Sequence, residues 1–393
     1  MAWHVFVVDK NTFTVHSKFQ FCGVVNPVAL KERYGVYADL MNLRPGDNVV
    51  FYQRFSQDEP AQNGFNGLYT VKDKPFFDGG DVVDPITQKT VHGKCTFCGS
   101  TSSPKRDNQF SPAKCLNCHH VIDYPILPNR VLIQTNKYFA NPIQDNEAYV
   151  DHTDHGILWT MLFRKTSGAG RARSVMHILP EEGMKLERLF NRANPGSTAR
   201  LTIGNYAPRQ NYINLNLQQH ANPNGSFVAE SVLHAWIMQN IDKNPPVLGP
   251  TVVGPIRELE YFGAWVPYNL GTNTVDILLL HKRDDKRFKA TIIELKKGKI
   301  NNSAITQVMD YVPWISQLAI ENAEPEINTL EIQPVAIGFG QTSTVNLPNQ
   351  RTMTSKYFST SLSGSRNMKT ITVNKPKILH YKFNSTTNTV DFI

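Results

Sequence analysis

The sequence predicts an α+β chain of more than one domain. A strand-rich first half is interrupted by a metal-binding ribbon, and in the second half helices and strands alternate about a mixed sheet. Three observations predict this. The chain has 393 residues, two to three times the usual domain, and 40% hydrophobic and 10% aromatic residues, enough for real cores and too many for wholesale disorder. Four of its five cysteines fall in two Cys-x-x-Cys pairs. Beyond about residue 200, short strand-like runs give way to long helical patterns and longer apolar runs.

Composition narrows the function classes. Charged residues are only 19%, yet 41 Lys+Arg against 33 Asp+Glu give a net charge of +8, which suits a polyanionic partner. No stretch approaches the ~18 apolar residues of a membrane span, so no membrane partner is expected. The opening MAWHVFVVDKNTF lacks the charged region of a secretory signal. Five cysteines are too sparse for a disulfide scaffold, and Cys22 is left unmatched, so a reducing, cytoplasmic setting is expected.

Residues 1–90 read as strands, HVFVV, DNVVFYQRF and NGLYTVKD, with Gly46-Asp47 and Asn63-Gly64 as turns. The cysteines follow: Cys95-x2-Cys98, sixteen residues, then Cys115-x2-Cys118. Each pair can place two thiolates on one knuckle of a tetrahedral, structural Zn²⁺ site, with Gly99 suited to the sharp turn. Two disulfides are the competing reading, disfavoured by the reducing setting. The intervening TSSPKRDNQFSPAK is too polar for a core of its own, so metal would supply the order. His119 and His120 are read as bystanders. RVLIQT and ILWTMLFRK read as strands, then a helix with Glu181 and Glu182 in its first turn, then a linker at 191–197.

The second half opens with the helix SFVAESVLHAWIMQNID, which Ser226 can cap. Strands VDILLLH and FKATIIELKK flank the turn KRDDKR. A helix capped by Ser303 and kinked at Pro313 and a strand QPVAIGFG come next. The last 43 residues carry seven Lys/Arg and one acid, +6 of the chain's +8. Two compatible readings remain there: a mobile basic arm on nucleic acid, or strands added to the preceding core.

The most informative stretch runs from Asn273 to Trp314. Residues two apart on a strand share a face, so Glu294 and Lys296 point together. A hairpin centred on Asp285 puts Asp276 opposite Glu294, each nine residues away. That needs an odd loop; an even turn at Asp284-Asp285 throws Asp276 to the other face unless a bulge restores it. Two carboxylates on one face make a hard-oxygen site for Mg²⁺, with substrate phosphate completing the shell and the lysine acting on the attacking water. A lone Glu-x-Lys is commonly just a solvated face. Here an apolar strand delivers three polar groups together, and buried charge without purpose is costly.

The order helix-Glu230, strand-Asp276, strand-Glu294-x-Lys296, helix-Gln307 resembles the PD-(D/E)XK nuclease superfamily. The run GTNTVDILLL…IIELKKGKINNSAITQVMDYV is especially similar to the NucS/EndoMS type of DNA endonuclease, over roughly residues 226–340. The resemblance implies Asp276, Glu294 and the Leu295 carbonyl as magnesium ligands and Lys296 as catalytic lysine. It implies Glu230 and Gln307 as supporting active-site groups. Val275, not proline, precedes Asp276.

In the first half, LRPGDNVVFYQRF…NGLYTVKDKPFFD, with Pro45-Gly46-Asp47 before an aromatic strand and the pair Phe76-Phe77, resembles the PUA-like group, EVE-type domains in particular. That implies a compact β-barrel, with the ribbon inserted between strands, able to hold a flipped, often methylated base. Trp3, Tyr52, Phe77, Trp159 and Phe163 are candidate pocket walls; the bland reading is that they are barrel core. Arg164, Lys165, Arg171 and Arg173, spaced by Gly168 and Gly170, are candidate DNA-phosphate contacts or an ordinary solvated loop.

The resulting expectation is a reader over residues 1–195 with the ribbon at 91–120, a nuclease domain over 200–345 with a mixed sheet, and a basic extension over 346–393. The expected function is a Mg²⁺-dependent, modification-dependent endonuclease acting on double-stranded DNA as a homodimer. The alternatives are a mismatch or structure-specific repair endonuclease and a non-catalytic RNA-binding protein.

Overall fold

The structure, a computed structural model, describes residues 1–54, 64–108, 111–150, 158–161, 174–196, 202–209, 211–268, 273–284, 286–318, 329–342, 344–358 and 366–393. The chain forms two compact units. One comprises Met1–His152, Ala172–Ile178 and Gly183–Asn214, and the other Thr153–Arg171, Leu179–Glu182 and Leu215–Ile393.

The first unit is built on one eight-stranded sheet. Its path runs Asn211–Tyr212, Phe76–Phe77, Asn129–Lys137, Gly64–Val71, Asn48–Gln53, Trp3–Val8 and Val175–Ile178, with Phe21–Val24 also on Asn129–Lys137. Trp3–Val8 and Asn48–Gln53 run parallel, and the other pairs are antiparallel. The expected closed barrel is not formed among the described residues. Closure needs the two end strands to pair, whereas Asn211–Tyr212 bonds to Phe76–Phe77 and Val175–Ile178 to Trp3–Val8.

Residues 1–90 are not strands throughout. Lys10–Phe19 and Leu30–Leu40 are helices. Phe13, Val15 and Ser17 look like strand alternation, but the local caps decide otherwise: Asp9 and Thr12 form a reciprocal capping box at the first helix. Likewise, in the described part of ILWTMLFRK, residues 158–161, residues 159–161 are helical rather than extended.

The second unit carries another eight-stranded sheet, and it is mixed as expected. Leu259–Tyr268, Asn273–Arg283 and Lys286–Leu295 are antiparallel neighbours. Lys286–Leu295 then pairs in parallel with Thr329–Gly338, which pairs in parallel with both Arg366–Val373 and Lys377–Asn384. Parallel pairing requires a crossover, supplied by the helices Asn302–Asp310 and Val312–Leu318. The break between them falls at Tyr311, two residues before Pro313, where the kink was expected. Asn301, not Ser303, caps the first of the two, accepting from the Ala304 N–H at 3.0 Å. The long helix starts at Glu230, four residues after Ser226, and Ala229 gives it no side-chain cap.

The central strands are buried almost end to end, as strands covered on both faces are. One buried cluster packs Val275, Leu278, Leu280, Ala290 and Ile292 against Val308, Tyr311, Val312 and Ile315 of the crossover helices. Within the basic tail, Arg351–Phe358, Arg366–Val373, Lys377–Asn384 and Thr389–Phe392 are strands that extend this sheet. The described part of the tail is thus an addition to the core rather than a loose arm.

Candidate active site and metal centre

The hairpin settles the face of Asp276. Arg283 pairs with Lys286, which is the even connection, and the register shifts between His281 and Lys282. That bulge restores the pairing: Ile277 lies opposite Ile293, so Asp276 and Glu294 share the next rung and one face. It is the face covered by the crossover helices.

Both carboxylates are buried, Asp276 at 7% and Glu294 at 2% exposure. Asp276 Oδ2 accepts the Leu295 N–H at 2.8 Å. Lys296 Nζ donates to Glu294 Oε1 and, at 3.0 Å, to Gln307 Oε1. Gln307 Nε2 donates to the Tyr311 hydroxyl at 2.7 Å, and that hydroxyl donates to Glu294 Oε2 at 2.6 Å. Glu230, in the first turn of its helix, accepts the Lys297 N–H at 3.1 Å. Asp276, Glu294, Lys296, Glu230 and Gln307 are therefore brought into one cluster.

Two further groups belong to it. The Tyr311 hydroxyl holds Glu294; its position four residues after Gln307 puts both on one helix face, a signal legible in the sequence. Tyr381 donates to the Lys297 carbonyl at 2.8 Å and accepts the Phe227 N–H at 3.3 Å. It comes from the tail, and nothing local marked it.

Burial and like charges perturb the titratable groups of the cluster. Burial, then the charges of Glu294 and Glu230, push the Asp276 carboxyl well above the carboxylate range, against the Leu295 N–H and Lys296. Burial works against the Lys296 ammonium, but the Glu294 hydrogen bond and the carboxylates of Glu294, Glu230 and Asp276 outweigh it and raise its pKa. Three acidic side chains thus act on one ammonium, and the raised Asp276 carboxyl holds its proton in the absence of a cation. The two carboxylates with the adjacent Leu295 carbonyl make a hard-oxygen donor set that fits Mg²⁺.

The cysteines form a second centre. Cys95, Cys98, Cys115 and Cys118 place their sulfurs within 4.8 Å of one another. The Cys95–Cys118 and Cys98–Cys115 sulfurs are 3.9 and 3.5 Å apart. Disulfides need about 2.05 Å; a zinc tetrahedron with ~2.3 Å bonds has edges near 3.8 Å. All four are free thiols that can bind a metal ion, and Cys22 is free and buried. The knuckles repeat each other: Gly99 N–H donates to Cys95 O at 2.8 Å and His119 N–H to Cys115 O at 2.9 Å. Gly99 and His119 both take positive φ, 74° and 58°. The Asn117 side chain, then the Ser100 N–H, hold the Cys98 thiol down at about 6. At Cys118, against the His120 N–H, burial and hydrogen bonds from the neighbouring thiols push the thiol up, so the first thiolate of the group forms at Cys98. Removing zinc with a chelator is expected to release one equivalent. Trypsin should then cut at Lys94, Lys105 or Arg106 faster than in the zinc-bound protein. Unchanged proteolysis after complete chelation would contradict a structural role.

Of the candidate base-pocket residues in the first unit, Trp3 and Tyr52 stand apart on neighbouring strands. Trp3 is buried, its ring lying where a Gly183 side chain would go, with 2.0 Å to a built Cβ. Trp3 pairs with Asn48 in register, so Tyr52 lies four residues further, about 13 Å along the sheet. Its hydroxyl donates to Asp145 at 3.0 Å. Phe77 lies in the short strand beside Asn129. Trp159 packs on the core of the second unit. Phe163, Arg164, Lys165, Gly168, Gly170, Arg171 and Arg173 lie outside the described residues. No described helix is long and apolar enough to cross a membrane.

No protein-family model matches the chain, and no curated protein does. Several solved structures resemble about half of it. A hypothetical protein from Leishmania major is 13% identical, with TM-score 0.30, covering 49% of this chain and 96% of its own. A Pseudomonas putida protein is 13% identical, with TM-score 0.27 and coverages of 48% and 99%. Human THYN1, solved in complex with 5-methylcytosine-containing DNA, is 14% identical, with TM-score 0.26 and coverages of 48% and 98%.

Proposed function

We propose that the second unit is a Mg²⁺-dependent DNA endonuclease and that the chain cuts DNA carrying a modified base. One observation carries the catalytic reading: the buried Asp276 and Glu294 and the half-buried Lys296 converge in one network that Gln307, Tyr311 and Glu230 complete. Bound there, Mg²⁺ would polarise the scissile phosphate and lower the pKa of a water. The protein's own part is positioning. Tyr311 fixes one oxygen of Glu294, and Lys296, held by Gln307 as well as Glu294, keeps its ammonium beside that carboxylate, where it would orient the attacking water. The basic balance of the chain suits the polyanion. One such site cuts one strand, so double-strand cleavage takes two copies of the chain.

The test is a digestion panel: matched plasmids, unmodified or carrying methyl- or hydroxymethyl-cytosine, and a mismatch-bearing duplex, each with Mg²⁺. Cleavage confined to a modified plasmid is the expected result. Equal cutting of every plasmid would remove the modification requirement, and cutting confined to the mismatch would assign the chain to repair. Binding of RNA with no metal-dependent cleavage of any DNA would make it a non-catalytic binder.

A further inference from the structure

We propose that the tip of the cysteine ribbon is a stacking platform for an unpaired base of single-stranded DNA. The inference rests on the reading above only in taking DNA as the partner. Phe97, inside the first Cys-x-x-Cys, is 71% exposed. Its ring lies flat on that of His120, with centroids 4.9 Å apart and planes within 5°. His120 is exposed too. Each ring spends one face on the other, so the pair offers outer faces to a third ring.

The knuckles hold this pair rigidly. The Cys115 N–H donates to the His120 carbonyl at 2.9 Å, fixing the imidazole's backbone to the second knuckle. The Tyr124 hydroxyl accepts the Thr96 N–H at 3.1 Å and shares a 2.6 Å hydrogen bond with the Thr96 hydroxyl, anchoring the residue before Phe97. His119 holds φ at 58° in the second knuckle, where the first uses Gly99 at 74°. An L-residue there is strained. The His119 imidazole is exposed next to His120.

Charge says what lies on the platform. Lys94, Lys105 and Arg106 are exposed on the same ribbon, and Lys105 sits beside Lys114, which in turn sits beside Val121, next to His120. Lys114 is tied to Asp107 at 3.3 Å. An aromatic face bordered by cations fits a strand that offers bases and phosphates alternately. A duplex keeps its base faces stacked and cannot use the platform.

The zinc-loaded protein of 393 residues is titrated without Mg²⁺ against fluorescein-labelled dT20 and a 20-base-pair duplex, reading anisotropy. Phe97→Ala is expected to weaken dT20 binding by about 5- to 100-fold and the duplex by less than about twofold. Phe97→Trp should restore dT20 binding. Neither changes charge, so the dependence on salt should stay as in the unaltered protein. Lys105→Ala with Arg106→Ala should flatten it by about one contact or more. Zinc content, measured for every variant, shows that the ribbon is intact. Both Phe97→Ala and His120→Ala binding dT20 within about twofold of the unaltered protein, with zinc retained, overturn the platform. So does a Phe97→Ala variant that loses only self-association in sedimentation. An unaltered protein that binds neither oligonucleotide overturns the DNA reading as well, which separates the two failures.

Discussion

Lys296→Ala and Glu294→Ala are expected to lose cleavage by about 10³-fold or more, and for different reasons. Glu294 is a proposed metal ligand, buried at 2% exposure and held by both Lys296 and Tyr311. Its removal should abolish both cleavage and the rise in melting temperature that Mg²⁺ gives the unaltered protein. That rise is the mass-action stabilisation of the folded state, about 2.7 kcal/mol at a hundredfold excess over Kd. Lys296 is not a ligand. Lys296→Ala should keep the Mg²⁺-dependent rise and lose turnover alone, because the ammonium acts on the reacting groups. Calorimetric melts with and without Mg²⁺, run beside the plasmid assay, separate the two roles. Wild-type cleavage in either variant would remove the assigned mechanism. A Lys296→Ala protein that no longer responds to Mg²⁺ would recast the lysine as part of the metal site's scaffold.

Much of this site was legible because its chemistry sits on regular elements. Alternation on one apolar strand puts Glu294 and Lys296 on a face, and the four-residue helical step puts Gln307 and Tyr311 on another. Asp276 was legible only conditionally. Its face depends on whether the turn is odd or even, and the chain takes the even turn and then restores the face with a bulge between His281 and Lys282. Bulges leave little local signal, because the extra residue is chosen by packing on both sides of the sheet. Tyr381 was invisible for another reason. It reaches Lys297 across 84 residues, and only the parallel pairing of Lys377–Asn384 on Thr329–Gly338 brings it there.

The first unit was harder to read. The ribbon was plain in its spacing, since tetrahedral ligation dictates paired cysteines. The helix Lys10–Phe19 was hidden because Thr12, Thr14 and Val15 favour strands, while its deciding feature, the Asp9–Thr12 box, lies in two side chains. Whether a curved sheet closes depends on its end strands, here two and four residues long, too short for periodicity to register. Aromatic content alone could not place a pocket, because Trp3 and Tyr52 face demands of core packing that look the same in sequence.

Asp276→Asn is expected to stabilise the metal-free protein at pH 7 to 8 while abolishing Mg²⁺-dependent cleavage. The sign follows from the burial of the carboxyl beside Glu294 and Glu230, which raises its pKa above that of the unfolded chain. A group raised in the folded state contributes fully below its unfolded pKa, near ~3.9 for aspartate. That contribution falls as pH climbs toward the folded pKa, at up to about 1.4 kcal/mol per pH unit. An amide of the same shape escapes the loss and can still accept the Leu295 N–H. For domains of this size each kcal/mol moves the melting temperature by about 2–4 °C, so a gain of a few degrees should appear at pH 8 and vanish near pH 4. Binding of Mg²⁺ must displace the same proton, so its apparent affinity should tighten by up to about tenfold per pH unit while Asp276 is still protonated. Titrating Mg²⁺ at several pH values in two buffers of different ionisation enthalpy measures the proton released. An Asn variant less stable than the unaltered, metal-free protein at pH 8 would show that the carboxylate is ionised and satisfied by the protein alone. The cluster would then have no electrostatic need of a cation.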